Sequence, residues 1–445
     1  MTKTAFDAVE TNVFRIAVVG SGPSGFYTTE ALLRSTVPFA IDMFEQLLVP
    51  YGLVRFGVAP DHPKLKQVTM AFDRIAKTAG FRFFGGVAVG RDVTIDELRD
   101  SYDAVILATG ADVSRSLGIP GESLAGTHHA GDFVGWYNGH PDFRACHFNL
   151  DHEVATVVGH GNVALDVARI LAKTADELRR TDIAKHALEV LAESRIREIH
   201  VVGRGRPPQT KFTAKELRDF LELDECDASV NSEDVTLDDF VPENPQDLEM
   251  TEKLALLRSF SQRVSAKRRR CLFHFGLSPV AIKGRSRVEA IVFERQKSKA
   301  IEQIDCGLCL RSIGRQTAPL AGVPYDELRG VHANVEGRAV IDGSVVAGLY
   351  VSGWSKRGPS GTIGTNRGCG MATAEVVLAD LPALAGQRTA DVNTLLERLR
   401  TRVGRIVSYV DWVKIDAAEK MRGAPLGKPR EKCVLVSDML AAMDS

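Results

Sequence analysis

"VVGHGNVALD", residues 157–166, runs from an apolar strand pattern through Gly159, Gly161 and Ala164 into a helix pattern. An earlier stretch, "VVGSGPSG" at residues 18–25, has nearly the same arrangement. A glycine-rich turn of this kind lets the backbone approach a pyrophosphate, and the following helix directs its N-terminus at the anion. The sequence therefore predicts two separate phosphate-binding turns in one chain.

The first turn lies in a complete βαβ pattern. "FRIAVVGSGPSGFYTTEALLR" passes through Gly20, Gly22 and Gly25 into a helix, and "FAIDMFEQ" then forms a second strand that ends at Glu45. A carboxylate at that position accepts hydrogen bonds from a ribose diol. The pattern predicts a dinucleotide site, and the alternative is a glycine-rich turn that binds no ligand.

The second turn differs at the end of its next strand. A helical stretch, "TADELRRTDIAKHALEVLAESRI", precedes the strand "REIHVVG", which ends at Arg204 and Arg206. The tip residue therefore lies well beyond the ~20 residues of a minimal unit. Guanidinium groups bind phosphate in a bidentate manner, so these arginines favour NADP over NAD. The alternative is a solvated turn.

Length and composition limit the class of protein. A chain of 445 residues predicts two to three domains, and a net charge of -1 gives no bias toward nucleic acid. The N-terminus, with Asp7 and Glu10, resembles no targeting segment, and no apolar run reaches the ~18 residues of a membrane span. Seven scattered cysteines favour a reducing compartment. We expect a cytoplasmic monomer that binds neither nucleic acid nor membrane.

The pair Cys306 and Cys309 raises the possibility of a redox dithiol. The surrounding run, "QIDCGLCLRSIGR", reads as one strand, on which residues three apart face opposite ways. The pattern therefore argues against a disulfide between these two cysteines. No spaced Cys and His cluster predicts a zinc, iron-sulfur or other metal site.

Later segments narrow the family. "YDAVILATGA" (residues 102–111) and "GLYVSGWSKRGPSGTIGTN" (residues 348–366) resemble the returning segments of two-dinucleotide flavoprotein reductases. With "PYGLVRFGVAPDHPKLK" (residues 50–66), "GHGNVALDVARIL" and "VVGRGRPPQTKFTAKELRDF", they resemble the adrenodoxin-reductase type of ferredoxin-NADP+ reductase. The similarity covers nearly the whole chain, in order.

This resemblance implies an α/β fold of two dinucleotide-binding, Rossmann-like, three-layer domains. The FAD domain is expected to be discontinuous, formed by residues 1–110 and 320–445. The NADP domain, residues 111–319, is expected to be inserted within it. A helix that starts near Thr362 is expected to direct its positive end at the flavin.

The resemblance also assigns roles to single residues. FAD contacts are expected from Ser24, Gly25, Glu45, Leu53, Val89, Trp354, Gly361, Thr362 and Ile363. NADP contacts are expected from Arg115, Asn162, Val163, Ala164, Arg204, Glu216 and Gly361. The family places His62 and Glu216 near the nicotinamide, although a lone loop histidine is more often structural.

One departure from the family pattern concerns specificity. The family usually has Gly-Arg-Arg-Gly-Pro at the 2'-phosphate turn, whereas this chain has Gly203, Arg204, Gly205, Arg206 and Pro207. The second arginine has moved by one residue. NADP stays favoured, but we expect weaker selectivity over NAD.

The implied reaction passes a hydride from NADPH to FAD, and then single electrons to a small acidic iron-sulfur ferredoxin. Ferredoxins commonly supply cytochromes P450, but no residue here names that acceptor. The basic run Lys267, Arg268, Arg269 and Arg270 is a candidate docking surface, and a solvated loop is its alternative. Two other functions stay open: an NADPH-dependent reductase of quinones or other small acceptors, and a non-catalytic dinucleotide sensor.

Overall fold

The computed structural model describes residues 13–244, 246–264 and 266–444. Asp7 and Glu10, on which the prediction about targeting depends, lie outside the described residues. Among the helices of the described part, none is long and apolar enough to cross a membrane.

The first part of the chain alternates strands and helices. Its elements are β1 (Phe14–Val19), α1 (Pro23–Leu33), β2 (Phe39–Glu45), α2 (Gly52–Phe56), α3 (Pro63–Lys66), α4 (Thr69–Ala76), β3 (Phe81–Gly85), α5 (Ile95–Ser101) and β4 (Ala104–Leu107). Pro23 occupies the first turn of α1, where its missing N–H costs no hydrogen bond. The predicted βαβ unit ending at Glu45 is thus confirmed.

The middle part carries the second predicted unit. Its elements are β5 (Val113–Ser114), β6 (Thr127–His129), α6 (Ala130–Tyr137), β7 (Val154–Val158), α7 (Asn162–Ala172), α8 (Ala175–Leu178), α9 (Lys185–Ala192), β8 (Glu198–Gly203), α10 (Ala214–Arg218), β9 (Cys226–Val230), α11 (Leu248–Ser261), β10 (Arg269–Phe275), β11 (Leu277–Lys283), β12 (Ala290–Arg295), β13 (Ile301–Asp305), β14 (Leu308–Arg311) and β15 (Arg315–Gln316). The extra helical stretch predicted before β8 forms α8 and α9.

The last part contributes short strands and long helices. Its elements are β16 (Tyr325–Asp326), β17 (Val331–His332), β18 (Asn334–Val335), β19 (Arg338–Ile341), β20 (Ser344–Val351), α12 (Trp354–Arg357), α13 (Ile363–Leu384), α14 (Val392–Val403), α15 (Tyr409–Gly423) and α16 (Val436–Asp444). The helix predicted to start near Thr362 is α13, with Thr362 at its N-cap.

The first large sheet draws strands from both ends of the chain. Its order is β18-β19-β20-β4-β1-β2-β3, and β20 pairs in parallel with β4. Ile16 and Val18 pack into one core on one face, while Ala17 and Val19 pack into another core on the opposite face. The sheet is therefore the middle of three layers, and the discontinuous arrangement is confirmed.

The second large sheet lies wholly within the middle part. Its order is β6-β14-β7-β8-β10-β9, and every neighbouring pair is parallel. Val157 packs into a core on one face, and Val158 packs into a separate core on the other. β5 and β15 pair where the chain enters and leaves this region. The two chain segments that connect the first sheet with the second therefore lie side by side.

Candidate functional site

The three glycines of the first turn differ in what a side chain would meet at each position. Gly20 adopts a φ of 102°, and a Cβ there would lie 2.5 Å from the carbonyl oxygen of Ala108. A Cβ at Gly25 would lie 2.1 Å from the carbonyl oxygen of Gly20, so α1 approaches β1 closely. A Cβ at Gly22 would meet nothing within 4 Å. Gly22 therefore faces open space at the start of α1, which fits the close approach of a pyrophosphate.

The second turn repeats this design around α7. Gly159 has a φ of 140°, and a Cβ there would lie 2.1 Å from the carbonyl oxygen of Ser312. A Cβ at Gly161 would meet nothing within 4 Å, as at Gly22. The third position is Ala164, whose methyl group is fully buried. Both turns thus leave room for a dinucleotide at the second glycine.

Glu45 is held at the end of β2 by three donors. Its Oε2 accepts from the backbone N–H of Ser21 at 3.0 Å and from Ser21 Oγ at 2.6 Å, and its Oε1 accepts from the N–H of Leu47 at 3.0 Å. A carboxylate accepts about four hydrogen bonds, so this one retains capacity for a further hydroxyl. The arrangement fits a ribose diol at the first turn.

The two arginines of the second turn differ in their surroundings. Arg206 forms an ion pair with the buried carboxylate of Asp239. Arg204 is exposed and has neither an ion pair nor a hydrogen-bond partner among the described residues. Of the two guanidinium groups, only that of Arg204 is therefore free to meet a 2'-phosphate without first leaving a carboxylate.

The N-terminus of α13 meets the first turn from the opposite end of the chain. Ser24 Oγ lies 3.2 Å from Asn366 Oδ1, to which Arg357 Nη2 also donates at 2.7 Å. Gly353 approaches so closely that a Cβ there would lie 1.8 Å from Ser24 Oγ. The segment around Trp354 and the start of α13 is thus fixed against α1.

The other residues predicted to contact a cofactor lie at several places in the fold. Leu53 lies in α2 beside the first turn, since its neighbour Gly52 would place a Cβ 3.2 Å from Gly22 Cα. Asn162 begins α7 and accepts from the N–H of Thr213 at 2.9 Å. Val89 packs against the core on one face of the first sheet, and Arg115 directly follows β5 at the entrance to the middle part. Val163 is exposed at the start of α7, and Gly361, Thr362 and Ile363 lie at the start of α13.

His62 lies where the two sheets' elements meet. Its loop, residues 57–62 between α2 and α3, reaches the side chains of α7 and α10. His62 Nε2 is 3.5 Å from a carboxylate oxygen of Asp166 and 3.5 Å from one of Glu216. The structure therefore brings together His62 and Glu216, the two residues predicted to act near the nicotinamide.

A buried guanidinium organises this junction. The side chain of Arg169, 1% exposed, donates through Nε and Nη2 to both oxygens of Asp61, at 2.7 and 3.1 Å. Its Nη2 also donates to Asp166 at 2.6 Å, and its Nη1 donates to Glu216 at 3.3 Å. We call Asp61, His62, Asp166, Arg169 and Glu216 the junction cluster.

Comparisons with known proteins agree with this geometry. A family model described as pyridine nucleotide-disulphide oxidoreductase matches residues 14–222. The NADPH-ferredoxin reductase FprA of Mycobacterium tuberculosis is 40% identical, with 96% of this chain and 98% of that protein covered. The mitochondrial NADPH:adrenodoxin oxidoreductase of Bos taurus is 41% identical, with 96% and 91% covered.

The chain belongs to the family of NADPH-ferredoxin and NADPH:adrenodoxin reductases. A solved structure of Mycobacterium tuberculosis FprA in complex with NADPH superposes with a TM-score of 0.90 at 38% identity, covering 98% of this chain and 100% of that one. The family resemblance predicted from the sequence motifs is therefore confirmed.

In this reductase the junction cluster shifts several pKa values. Burial disfavours a charged His62, but hydrogen bonds to Asp166 and Glu216 outweigh it and raise the pKa of His62 to about 9. Burial also opposes charge on Asp61, yet its hydrogen bonds from Arg169 lower its pKa to about 2. Burial opposes charge on Glu216 as well, and the neighbouring His62 and Arg169 lower its pKa. These shifts keep Asp61 and Glu216 ionised and favour a protonated His62 ring.

Sequence reasoning missed three members of the junction cluster: Asp61, Asp166 and Arg169. A signal was present, because Asp166 and Arg169 are three apart on α7 and therefore share one helix face.

Asp219 joins His62 and Glu216 within 4.8 Å, a spacing that a metal ion could use. Arg169 already supplies the positive charge that such carboxylates require.

The reading of residues 303–315 as one strand is wrong. Cys306 lies in the turn between β13 and β14, which belong to different sheets. Both Cys306 and Cys309 are buried free thiols. Burial raises the pKa of Cys306 to about 11 and raises that of Cys309 as well, which disfavours the thiolate that dithiol chemistry requires.

The basic run is only partly available to a partner. Arg269 Nη1 donates to the carbonyl oxygens of Ala172 and Lys173, at 3.0 and 2.7 Å, and so caps the C-terminus of α7. Arg270 pairs with Glu198, but it stays exposed, as does Arg268. Arg269 is therefore a structural residue, contrary to its inclusion in a docking surface.

Proposed function

We propose that this chain is an FAD-dependent NADPH:ferredoxin reductase. The observation that carries the proposal is the pair of glycine turns, each open at its second glycine and each followed by a different tip residue. Glu45 suits a ribose diol, and Arg204 suits a 2'-phosphate. Two different dinucleotides in one chain fit transfer of electrons from NADPH to a flavin.

The chain's residues divide the work of binding. At the first site, the N-terminus of α1 meets a pyrophosphate and Glu45 accepts from the ribose, while the start of α13 directs its positive end toward the flavin. At the second site, α7 meets a pyrophosphate and Arg204 binds the 2'-phosphate. Bound FAD supplies the hydride acceptance and single-electron release that no side chain here provides.

At the junction, His62 and Glu216 have a different task. We assign them to orienting the nicotinamide and holding a proton beside it, at His62 Nε2. The support is their mutual approach between elements of the two sheets. No side chain is required as a nucleophile, because binding and orientation are the protein's contribution to hydride transfer.

The domain boundaries, the cellular location and the oligomeric state are also proposals. We propose domains at residues 1–110 and 320–445 for FAD and at residues 111–319 for NADP, supported by the paired β5 and β15 beside both crossings. A cytoplasmic location is proposed from the seven free cysteines. We also propose that the protein is a monomer.

The proposed partner is a small acidic ferredoxin, whose approach is steered by exposed basic residues. Lys267, Arg268 and Arg270 are exposed and stay candidates for this surface. Loss of Arg269 from the set leaves a smaller patch than the sequence indicated. Charge steering, rather than a large apolar contact, is the mode that such a patch supports.

The test of this function is electron delivery to two acceptors. With NADPH and a ferredoxin, the protein should reduce cytochrome c, and omission of the ferredoxin should remove most of that rate. Ferricyanide should be reduced without ferredoxin. Equal cytochrome c rates with and without ferredoxin would favour the alternative, a reductase of small acceptors. Failure with both acceptors would favour a dinucleotide sensor.

A further inference from the structure

The side chain of Arg169 connects the His62 loop to the helices of the second sheet. It donates twice to Asp61, which precedes His62 in the loop, and it also contacts Asp166 and Glu216. The loop is thus joined to α7 and α10 through one side chain that is almost fully buried.

Arg169 also contacts the histidine ring directly. Its Nη2 lies 2.5 Å from His62 Nε2, and the guanidinium also donates to Asp166 and Glu216. The protonated ring faces the same carboxylates, with Nε2 3.5 Å from Asp166 and 3.5 Å from Glu216. The guanidinium and the ring therefore face the same two carboxylates, and the position of Arg169 bears directly on the position of the ring.

Other charged and titratable groups surround the same ring. Asp219 follows α10 and lies 3.6 Å from His62 Nε2, and Lys173, which directly follows α7, lies 3.7 Å from Asp61. Tyr137 of α6 has a buried hydroxyl without a hydrogen-bond partner among the described residues, and it interacts electrostatically with Asp166. Arg169 touches more of these groups than either Lys173 or Tyr137 does.

We propose that Arg169 is a positioning residue for the reductase reaction: by joining Asp61 to Asp166 and Glu216, it fixes the His62 ring and its loop at the junction. This inference rests on the proposed function, in which His62 lies near the nicotinamide. Arg169 acts through His62 and touches no substrate. Its removal should misplace the ring without altering the 2'-phosphate site at Arg204.

The experiment compares Arg169→Met, Arg169→Lys and the wild-type holoprotein. The first readout is the NMR titration of the His62 ring, identified by the signal that His62→Gln lacks. Arg169→Met removes a cation beside the ring, so the titration midpoint should rise, whereas Arg169→Lys should stay near the wild type. Arg195→Met, an exposed arginine on the same part of the chain, is the matched control and should titrate like the wild type.

The second readout separates rate from affinity. In Arg169→Met, anaerobic flavin reduction by NADPH should slow by roughly 10- to 100-fold, because small misplacements have effects of this size. NADP+ affinity should change by less than about threefold, since Arg204 is intact. Arg169→Lys should recover part of the rate. Equal loss of rate and affinity, with no recovery by lysine, would overturn the proposal.

Asp61→Asn is a second variant that tests the proposal even if Arg169→Met does not fold. It keeps the shape of the loop but removes one carboxylate, so the His62 midpoint should fall, opposite to the effect of Arg169→Met. An unchanged midpoint in both variants contradicts the proposal. If wild-type flavin is not reduced by NADPH, the proposed function fails, while the two opposite titration shifts still decide the role of Arg169.

Discussion

The two dinucleotide turns of this molecule share a glycine pattern but differ at their tips. Glu45 of the first turn is buried and already held by three donors, whereas Arg204 of the second is exposed and has no partner among the described residues. A preformed, buried site suits a cofactor that stays bound. An open site with a free guanidinium suits one that enters and leaves.

The largest effects are expected from substitutions that fill each turn separately with a side chain. Both second glycines have ordinary backbone angles, with φ values of -77° at Gly22 and -108° at Gly161, and a Cβ at either meets only open space. Gly22→Val should therefore fold but lose its flavin. Gly161→Val should keep its flavin and lose NADPH binding.

These outcomes are measured by the visible spectrum of purified protein and by NADP+ titration. Thermal unfolding serves as the control for folding. If either substitution removes both ligands from a folded protein, the two turns do not act as separate sites.

Arg204→Ala tests whether the tip residue of the second turn binds the 2'-phosphate. Loss of a charged hydrogen bond to phosphate costs about 1.5 to 3 kcal/mol, so the NADPH requirement should rise roughly 10- to 100-fold. The NADH requirement should stay nearly constant. Arg206→Ala, which removes a group already paired with Asp239, should have a smaller effect. Steady-state kinetics with both nucleotides measures this, and equal losses for NADPH and NADH would assign Arg204 to the fold.

Gly205→Arg tests the same turn in the opposite direction. It restores the paired arginines of the family, and its Cβ would lie 3.2 Å from Gln209 Cβ, a tight but adjustable contact. The ratio of kcat/KM for NADPH over NADH should rise severalfold. An unchanged ratio means that Arg206 leaves Asp239 to bind the phosphate itself.

The free energy of unfolding should depend on pH through His62 of the junction cluster. The folded protein raises the pKa of His62 to about 9, above the unfolded value near 6.5, so it binds the proton more tightly when folded. The resulting stability is complete below pH ~6.5 and is lost as pH rises through 9. Between pH 7 and 9 the free energy of unfolding should fall by about 1–2 kcal/mol more in the wild type than in His62→Gln. Urea unfolding at several pH values measures it, and parallel pH profiles would contradict the assignment.

The smallest expected effect concerns the partner. Arg268→Glu should slow ferredoxin-dependent cytochrome c reduction about twofold at low salt, where screening is weak, and ferricyanide reduction should be unchanged. The difference should vanish at high ionic strength. Ferredoxin kinetics that match the wild type across a salt series would return this run to a solvated surface.

Local patterns were enough to predict the elements that carry the two turns. Strand, glycine turn and helix are adjacent in sequence, so β1, α1 and the end of β2 at Glu45 followed from periodicity. The junction cluster did not follow, because Asp61 and Arg169 meet only after two sheets pack together. The same limit explains the error at Cys306, where a strand pattern hid a change from one sheet to another. The cap made by Arg269 could not be predicted from the sequence either, since it depends on where α7 ends in the folded chain.

We propose that the first turn holds FAD and the second binds NADPH, which delivers the electrons. The most direct test of this proposal is the visible spectrum of the purified protein, recorded anaerobically before and after one equivalent of NADPH and, separately, of NADH. We expect a yellow protein whose flavin absorbance falls rapidly with NADPH and much more slowly with NADH. A colourless protein that takes up no added FAD, or a flavin that NADPH leaves oxidised, would contradict it.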